Sequence, residues 1–229
     1  MKDGRRIVCN ALWKLAVALG VVAGALFLSA GSRHWPEAWL FTAVLGACLT
    51  TNTVVLLRGS PDLVEERLHR HKGAKKWDLV VVSTASVFWL MSVPIAGLDR
   101  RFGWSPELGI PVKLASVAAF ILGDLLVLWA MAVNRFFSRM VRIQTERGHH
   151  TVTAGPYRYV RHPGYVGWCF MAASMPLMLG SLWSLALTGL SVVLMVVRTA
   201  LEDRTLQEEL EGYREYTRNV PYRLIPGIW

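Results

Sequence analysis

Residues 155–167 read GPYRYVRHPGYVG: three glycines, two prolines, three tyrosines, two arginines and a histidine in thirteen positions. Pro156 and Pro163 fix φ and bias the residues before them toward extended backbone. Gly155, Gly164 and Gly167 admit close approach of another group. This mixture is foreign to a bilayer core, and richer than a proline-stopped connector with an interfacial aromatic belt requires. Further along, Arg198 and Glu202 stand four residues apart, on one face of a helix. A guanidinium fork suits a carboxylate or phosphate two oxygens at a time. Each also has a plainer use: Arg198, at the end of an apolar run, can snorkel to the interface, and Glu202 can pair with Arg198 or Arg204. Asp124 lies inside an apolar helix, where a carboxylate faces the bundle interior, either to bond a neighbouring helix or to serve a cavity.

Other chemistries find little support. His69 and His71 are two apart with no further ligand cluster, so no metal site is expected. Cys9, Cys48 and Cys169 are odd in number and lie at or inside apolar segments, which argues against a disulfide framework. No glycine-rich dinucleotide fingerprint is present, which disfavours an ordinary soluble methyltransferase fold. The net charge of +9 sits in loops between apolar runs, so the expected partner is a membrane surface and not nucleic acid.

The glycine- and proline-rich motif is followed by Arg198-x-x-x-Glu202-Asp203, Leu206, Tyr213-x-x-Tyr216, Val220-Pro221 and Ile225-Pro226. This succession, over roughly residues 134–227, resembles the signature of the isoprenylcysteine carboxyl methyltransferase family and the related phospholipid N-methyltransferases. Asp203 departs from the pattern, which more often has a second Glu there. The resemblance implies an integral membrane enzyme using S-adenosylmethionine. It implies cofactor contacts from Gln144, His149, His150, Thr151, Val152, Tyr157, His162, Pro163, Gly164, Tyr165 and Glu202, and an acceptor held by Arg198, with Arg198 and Glu202 as the catalytic pair. The chemistry of these residues agrees. Tyr157 and Tyr165 offer aromatic faces to a purine or a sulfonium. Pro163 lacks a backbone donor and can leave a carbonyl free. Glu202 can pair an ammonium group. A carboxylate acceptor, as in an isoprenylcysteine, is ionised at neutral pH and needs no base. An amine acceptor requires one, with Glu202, His162 or a phosphate as candidates. The alternatives are a sterol-type reductase using a nicotinamide cofactor, whose C-terminal half is related, and a non-catalytic membrane protein of the same fold.

The elements that must position these residues are helical. With 53% hydrophobic residues in long runs, the chain reads as an all-α, polytopic membrane bundle, because about 20 apolar residues cross a bilayer. Spans are expected near 7–30, 39–57, 79–98 and 112–133, then a shorter hairpin at 164–180 and 182–197: about six membrane segments. Ala16, Gly20 and Gly24 form a small-residue face for close packing within the chain or in a dimer. A short amphipathic helix is expected from Ser60-Pro61-Asp62 onward, and a polar cytoplasmic helix from Thr199 to about Asn219. Basic residues concentrate at the N-terminus, in 58–77 and in 134–161, which predicts both termini in the cytoplasm. The whole reads as one domain, with 1–133 as membrane scaffold and 134–229 as cofactor-binding core.

Overall fold

The computed structural model describes residues 2–68 and 73–229. Met1 and residues 69–72 lie outside the described residues, and with them the His69 and His71 pair and part of the basic 58–77 loop. The described residues form α-helices joined by loops, the longest between Val133 and Pro163, with no strand. In order they are α1 (Lys2–Ala30), α2 (Pro36–Gly59), α3 (Pro61–Leu68), α4 (Lys76–Phe102), α5 (Ile110–Val133), α6 (Pro163–Leu179), α7 (Leu182–Glu209) and α8 (Tyr213–Asn219). Five are long and apolar enough to cross a bilayer: Cys9–Ala30, Pro36–Gly59, Lys76–Phe102, Ile110–Val133 and Leu182–Glu209. The 17-residue α6 is the short arm of the C-terminal hairpin.

One boundary differs from expectation. The apolar stretch ending near 197 and the polar stretch after it are a single 28-residue helix, α7. No Gly or Pro interrupts 190–209, so the backbone ladder runs on through the change of polarity. The polar helix expected to Asn219 breaks only at Leu210–Gly212, where Gly212 adopts φ 76° before α8.

The helices pack through small residues and polar side chains, as expected where lipid supplies no apolar driving force between them. α5 lies on α6 with almost no space: a Cβ at Gly123 would stand 2.6 Å from the Gly167 carbonyl oxygen, and one at Gly167 2.4 Å from that of Gly123. α4 and α7 are joined by Ser184 Oγ to the Ser92 carbonyl and Ser191 Oγ to the Ala85 carbonyl, both 2.8 Å. Asp124 accepts from Asn52 Nδ2 on α2 at 2.8 Å, so its role is the helix-to-helix bond. Leu26, Trp35, Phe41, Val93, Phe120 and Met175 fill the core. At one end of the bundle Asp99 gathers the Ser105 amide and hydroxyl and the Ser181 hydroxyl, beside Trp104 and Trp183 in edge contact. The opposite end carries the 134–162 loop. Gly20 and Gly24 face open space, so their small-residue stripe packs nothing within this chain.

Candidate active site

Asn134 ends α5, and the chain then runs without regular helix, apart from two short 3-10 turns (Thr145–Arg147 and Gly155–Arg158), until Pro163 opens α6. Such a long irregular segment needs internal partners for its backbone. Asn134 Oδ1 accepts the Phe136 amide at 2.9 Å, while Asn134 Nδ2 donates to the Tyr157 hydroxyl at 3.1 Å. Gln144 Nε2 donates to the Phe136 carbonyl at 2.7 Å. Arg142 bridges Glu66 on α3 at 3.0 Å and Glu146 at 2.7 Å. Asp78, fully buried near the start of α4, accepts the Val141 amide at 2.7 Å.

The motif glycines do not wait for a ligand; they accommodate protein. Gly155 adopts φ 59°, and a side chain there would strike Val133 and Trp129. A Cβ at Gly164 would come within 2.5 Å of the Phe137 ring. Gly167 makes the close crossing with α5.

What results is one cavity, lined among others by His149, His150, Thr151, Val152, Tyr157, His162, Gly164, Tyr165, Arg198 and Glu202. Two sequence candidates fall outside that lining. Gln144 is buried under the loop, where its side chain also accepts from Arg147 Nη1 at 2.6 Å. Pro163 is the buried first residue of α6. The cavity also takes in residues not anticipated from the sequence, including Phe136, Phe137, Arg142, Leu206 and Tyr213.

Arg198 and Glu202 enter it one turn apart on α7. The Glu202 carboxylate accepts the Tyr165 hydroxyl. Arg198 does not snorkel. Its Nε donates to Asp78 Oδ1 at 2.7 Å, and its Nη2 to Asp78 Oδ2 at 3.3 Å and the Arg139 carbonyl at 2.9 Å. Its guanidinium lies 5.1 Å from the Tyr165 ring centre. Nη1 makes no hydrogen bond among the described residues, so that edge is left for something in the cavity. Asp78 escaped the sequence reading because an acid at the start of an apolar run looks like an ordinary helix N-terminal residue.

Asp203, fully buried, is the hub beneath the cavity floor. It accepts from Arg161 Nε (2.8 Å), Gln207 Nε2 (2.8 Å), Arg223 Nε (2.9 Å) and the Tyr213 hydroxyl (3.0 Å). His162 Nε2 stands 3.3 Å from it, with its ring parallel to that of Tyr165. Arg161 also donates to the Val220 and Pro221 carbonyls, binding the C-terminal tail to the motif. At the cavity rim the His149 and His150 rings pack against Phe136. Burial, with His150, Arg142 and Arg147 nearby, pushes His149 down to about 4.

The model of the isoprenylcysteine carboxyl methyltransferase family matches residues 116–209. Human protein-S-isoprenylcysteine O-methyltransferase is 35% identical over 101 residues, 40% of this chain and 34% of its own length. The alignment thus spans about a third of that relative. A probable protein-S-isoprenylcysteine O-methyltransferase of Oryza sativa subsp. indica is 27% identical over 148 residues, 62% of this chain and 71% of the relative. In fold, the chain is similar to the eukaryotic intramembrane Ras methyltransferase ICMT, with TM-score 0.57 and 20% identity over 95% of this chain and 77% of that one. Through residues 116–209, which hold the glycine- and proline-rich motif, Arg198 and Glu202, the chain is similar to the isoprenylcysteine carboxyl methyltransferase family.

Proposed function

We propose that the chain is a membrane methyltransferase that uses S-adenosylmethionine and methylates the carboxylate of a lipophilic, isoprenylcysteine-type acceptor. The observation that carries this reading is the joint arrival of Arg198 and Glu202 in one cavity at the bundle end, each already oriented by a protein partner. The donor set fits the cofactor. Tyr157 and Tyr165 supply aromatic surface, His149, His150 and Thr151 supply polar contacts, and Glu202 supplies the one carboxylate that lines the cavity among the described residues. When bound, S-adenosylmethionine supplies an activated methyl group, leaving the protein to provide position and field.

Glu202 keeps an oxygen for an ammonium while Tyr165 holds its other one. Arg198, gripped by Asp78 through Nε and Nη2, presents Nη1 to an acceptor carboxylate and orients it. A carboxylate carries no proton to remove at neutral pH, so these residues need not act as a base. His162, tied to Asp203, stiffens the floor.

The test is product analysis of membranes supplied with labelled S-adenosylmethionine, together with calorimetry of S-adenosylhomocysteine on the purified chain. Glu202→Gln removes a charge-assisted contact and lowers affinity about tenfold or more. Arg198→Ala also strands the buried Asp78 carboxylate, a loss of about 3–5 kcal/mol, so Arg198→Lys is the cleaner variant. It keeps cofactor affinity and loses most turnover, because a point charge cannot satisfy Asp78 and the acceptor together. Absence of binding, or oxidation of NADPH in its place, overturns the reading.

A further inference from the structure

On the side of α7 away from the cavity, Arg204 and Arg214 have no function in the reading above, and Arg223 joins them from the Asp203 hub. Leu190, Val193 and Val197 lie on one exposed strip of α7, at 48%, 59% and 44% exposure. The same strip continues at helical spacing through Ala200 and Arg204 to Gln207 and Glu208. An apolar face that turns cationic along one helix marks the passage from acyl chain to headgroup. Length agrees: 28 residues rise about 42 Å against a hydrocarbon core of about 30 Å, so the last two turns of α7 stand beyond it.

At that level Ala200, Arg204, Gln207, Glu208, Arg214 and Arg223 line an open depression. Each of its three arginines makes its hydrogen bond to the protein through Nε, and the Arg223 guanidinium also lies 5.0 Å from the Trp229 ring centre. Arg204 Nε donates to Glu208 at 2.8 Å, Arg214 Nε to the Gln207 carbonyl at 2.7 Å, and Arg223 Nε to Asp203 at 2.9 Å. Neither Nη of any of the three is hydrogen-bonded among the described residues. Three forks are thus aimed by their inner nitrogens while their outer edges remain unpaired. Among the described residues Glu208 is the one carboxylate lining the depression, and Asp203 beneath is shared with Arg161, Gln207 and Tyr213. Guanidinium forks are matched to phosphate oxygens.

We propose that this α7–α8 corner binds the phosphodiester headgroup of an anionic phospholipid whose acyl chains run down the Leu190–Val197 strip. The inference does not depend on the methyltransferase reading, since the two cavities lie on different faces of α7. Inorganic phosphate shares the chemistry; the continuity of the depression with the lipid-facing strip favours the lipid.

The experiment is native mass spectrometry of the full chain in zwitterionic detergent, titrated with phosphatidylglycerol or phosphatidylcholine. The wild-type chain retains one phosphatidylglycerol in preference to phosphatidylcholine. Arg204→Gln with Arg214→Gln lowers that affinity about tenfold or more. The pair Arg158→Gln and Arg218→Gln, both exposed and equal in charge change, leaves it intact. Arg204→Lys with Arg214→Lys, which keeps the charge and loses the forks, still weakens binding. Equal retention by the Arg204 and Arg214 variants, or equal loss in the Arg158 and Arg218 control, overturns the site. Displacement of the lipid by millimolar inorganic phosphate overturns the lipid assignment.

Discussion

His149 and His150 stand side by side in the sequence, and only their surroundings distinguish them. The Gln144 amide lies 3.3 Å from His149 Nδ1, which makes that nitrogen the acceptor and leaves the proton on Nε2. His150 Nδ1 instead stands 3.1 Å from the Gly148 carbonyl. His149 is half-buried, and its value of about 4 lies below the ordinary 6.5. The sign follows from linkage. Between those values the unfolded chain binds more protons than the folded one, so this contribution to stability is complete above pH 6.5 and is lost as pH falls toward 4. The melting temperature in detergent is therefore expected to drop over that window, and His149→Gln to flatten part of the drop. An unchanged slope in that variant would show that His149 does not titrate there. Asp203 makes a related point. Its shorter side chain, where the family pattern more often has Glu, reaches Arg161, Gln207, Tyr213 and Arg223 at once.

At the scale of the element, glycines that look alike in the sequence do different work. Gly123 and Gly167 let α5 and α6 touch backbone to backbone, and α6 carries Gly164 and Tyr165 into the cavity. Gly167→Ala must push the helices apart, at a cost of about 1–3 kcal/mol by the usual measure of overpacking. Gly20→Ala and Gly24→Ala meet nothing and gain helix propensity, so they leave melting unchanged or slightly raised. Thermal unfolding of these variants in one detergent checks the contrast. A Gly167→Ala protein as stable as the parent would mean that the close crossing is not needed. α7 shows a second division of labour: one face holds Ser184, Thr188, Ser191, Arg198 and Asp203 against the bundle, and the other faces lipid.

For the whole molecule, the aromatic end with Asp99, Trp104 and Trp183 and the basic end with the 134–162 loop lie at opposite ends of the spans. The charge bias predicts that the basic end and both termini face the cytoplasm. In a cysteine-free background, Arg158→Cys is expected to react with an impermeant thiol reagent from the cytoplasmic side only, and Glu107→Cys from the opposite side only; both positions are exposed. The reverse pattern inverts the topology and moves the cavity to the other side of the membrane.

Much of this protein was legible before its structure. Apolar runs separated by basic loops specify a helical membrane bundle, because lipid leaves backbone groups few other ways to be satisfied. The thirteen-residue motif supplies Tyr157, Arg161, His162, Gly164 and Tyr165 to the cavity lining, where Arg198 and Glu202 join them. Contacts between residues far apart in sequence were not legible. Nothing near Arg198 announces that Asp78, 120 residues earlier, takes its Nε and Nη2. Nothing near Gly164 and Gly167 announces that their neighbours are Phe137 and Gly123. Gln144 and Pro163 have the right types and positions for cofactor contact, yet packing turns them away from the cavity. Periodicity and composition act along the chain and determine which segments become helices. Which nitrogen of Arg198 remains for a ligand is decided by partners that only the tertiary fold brings within hydrogen-bonding distance.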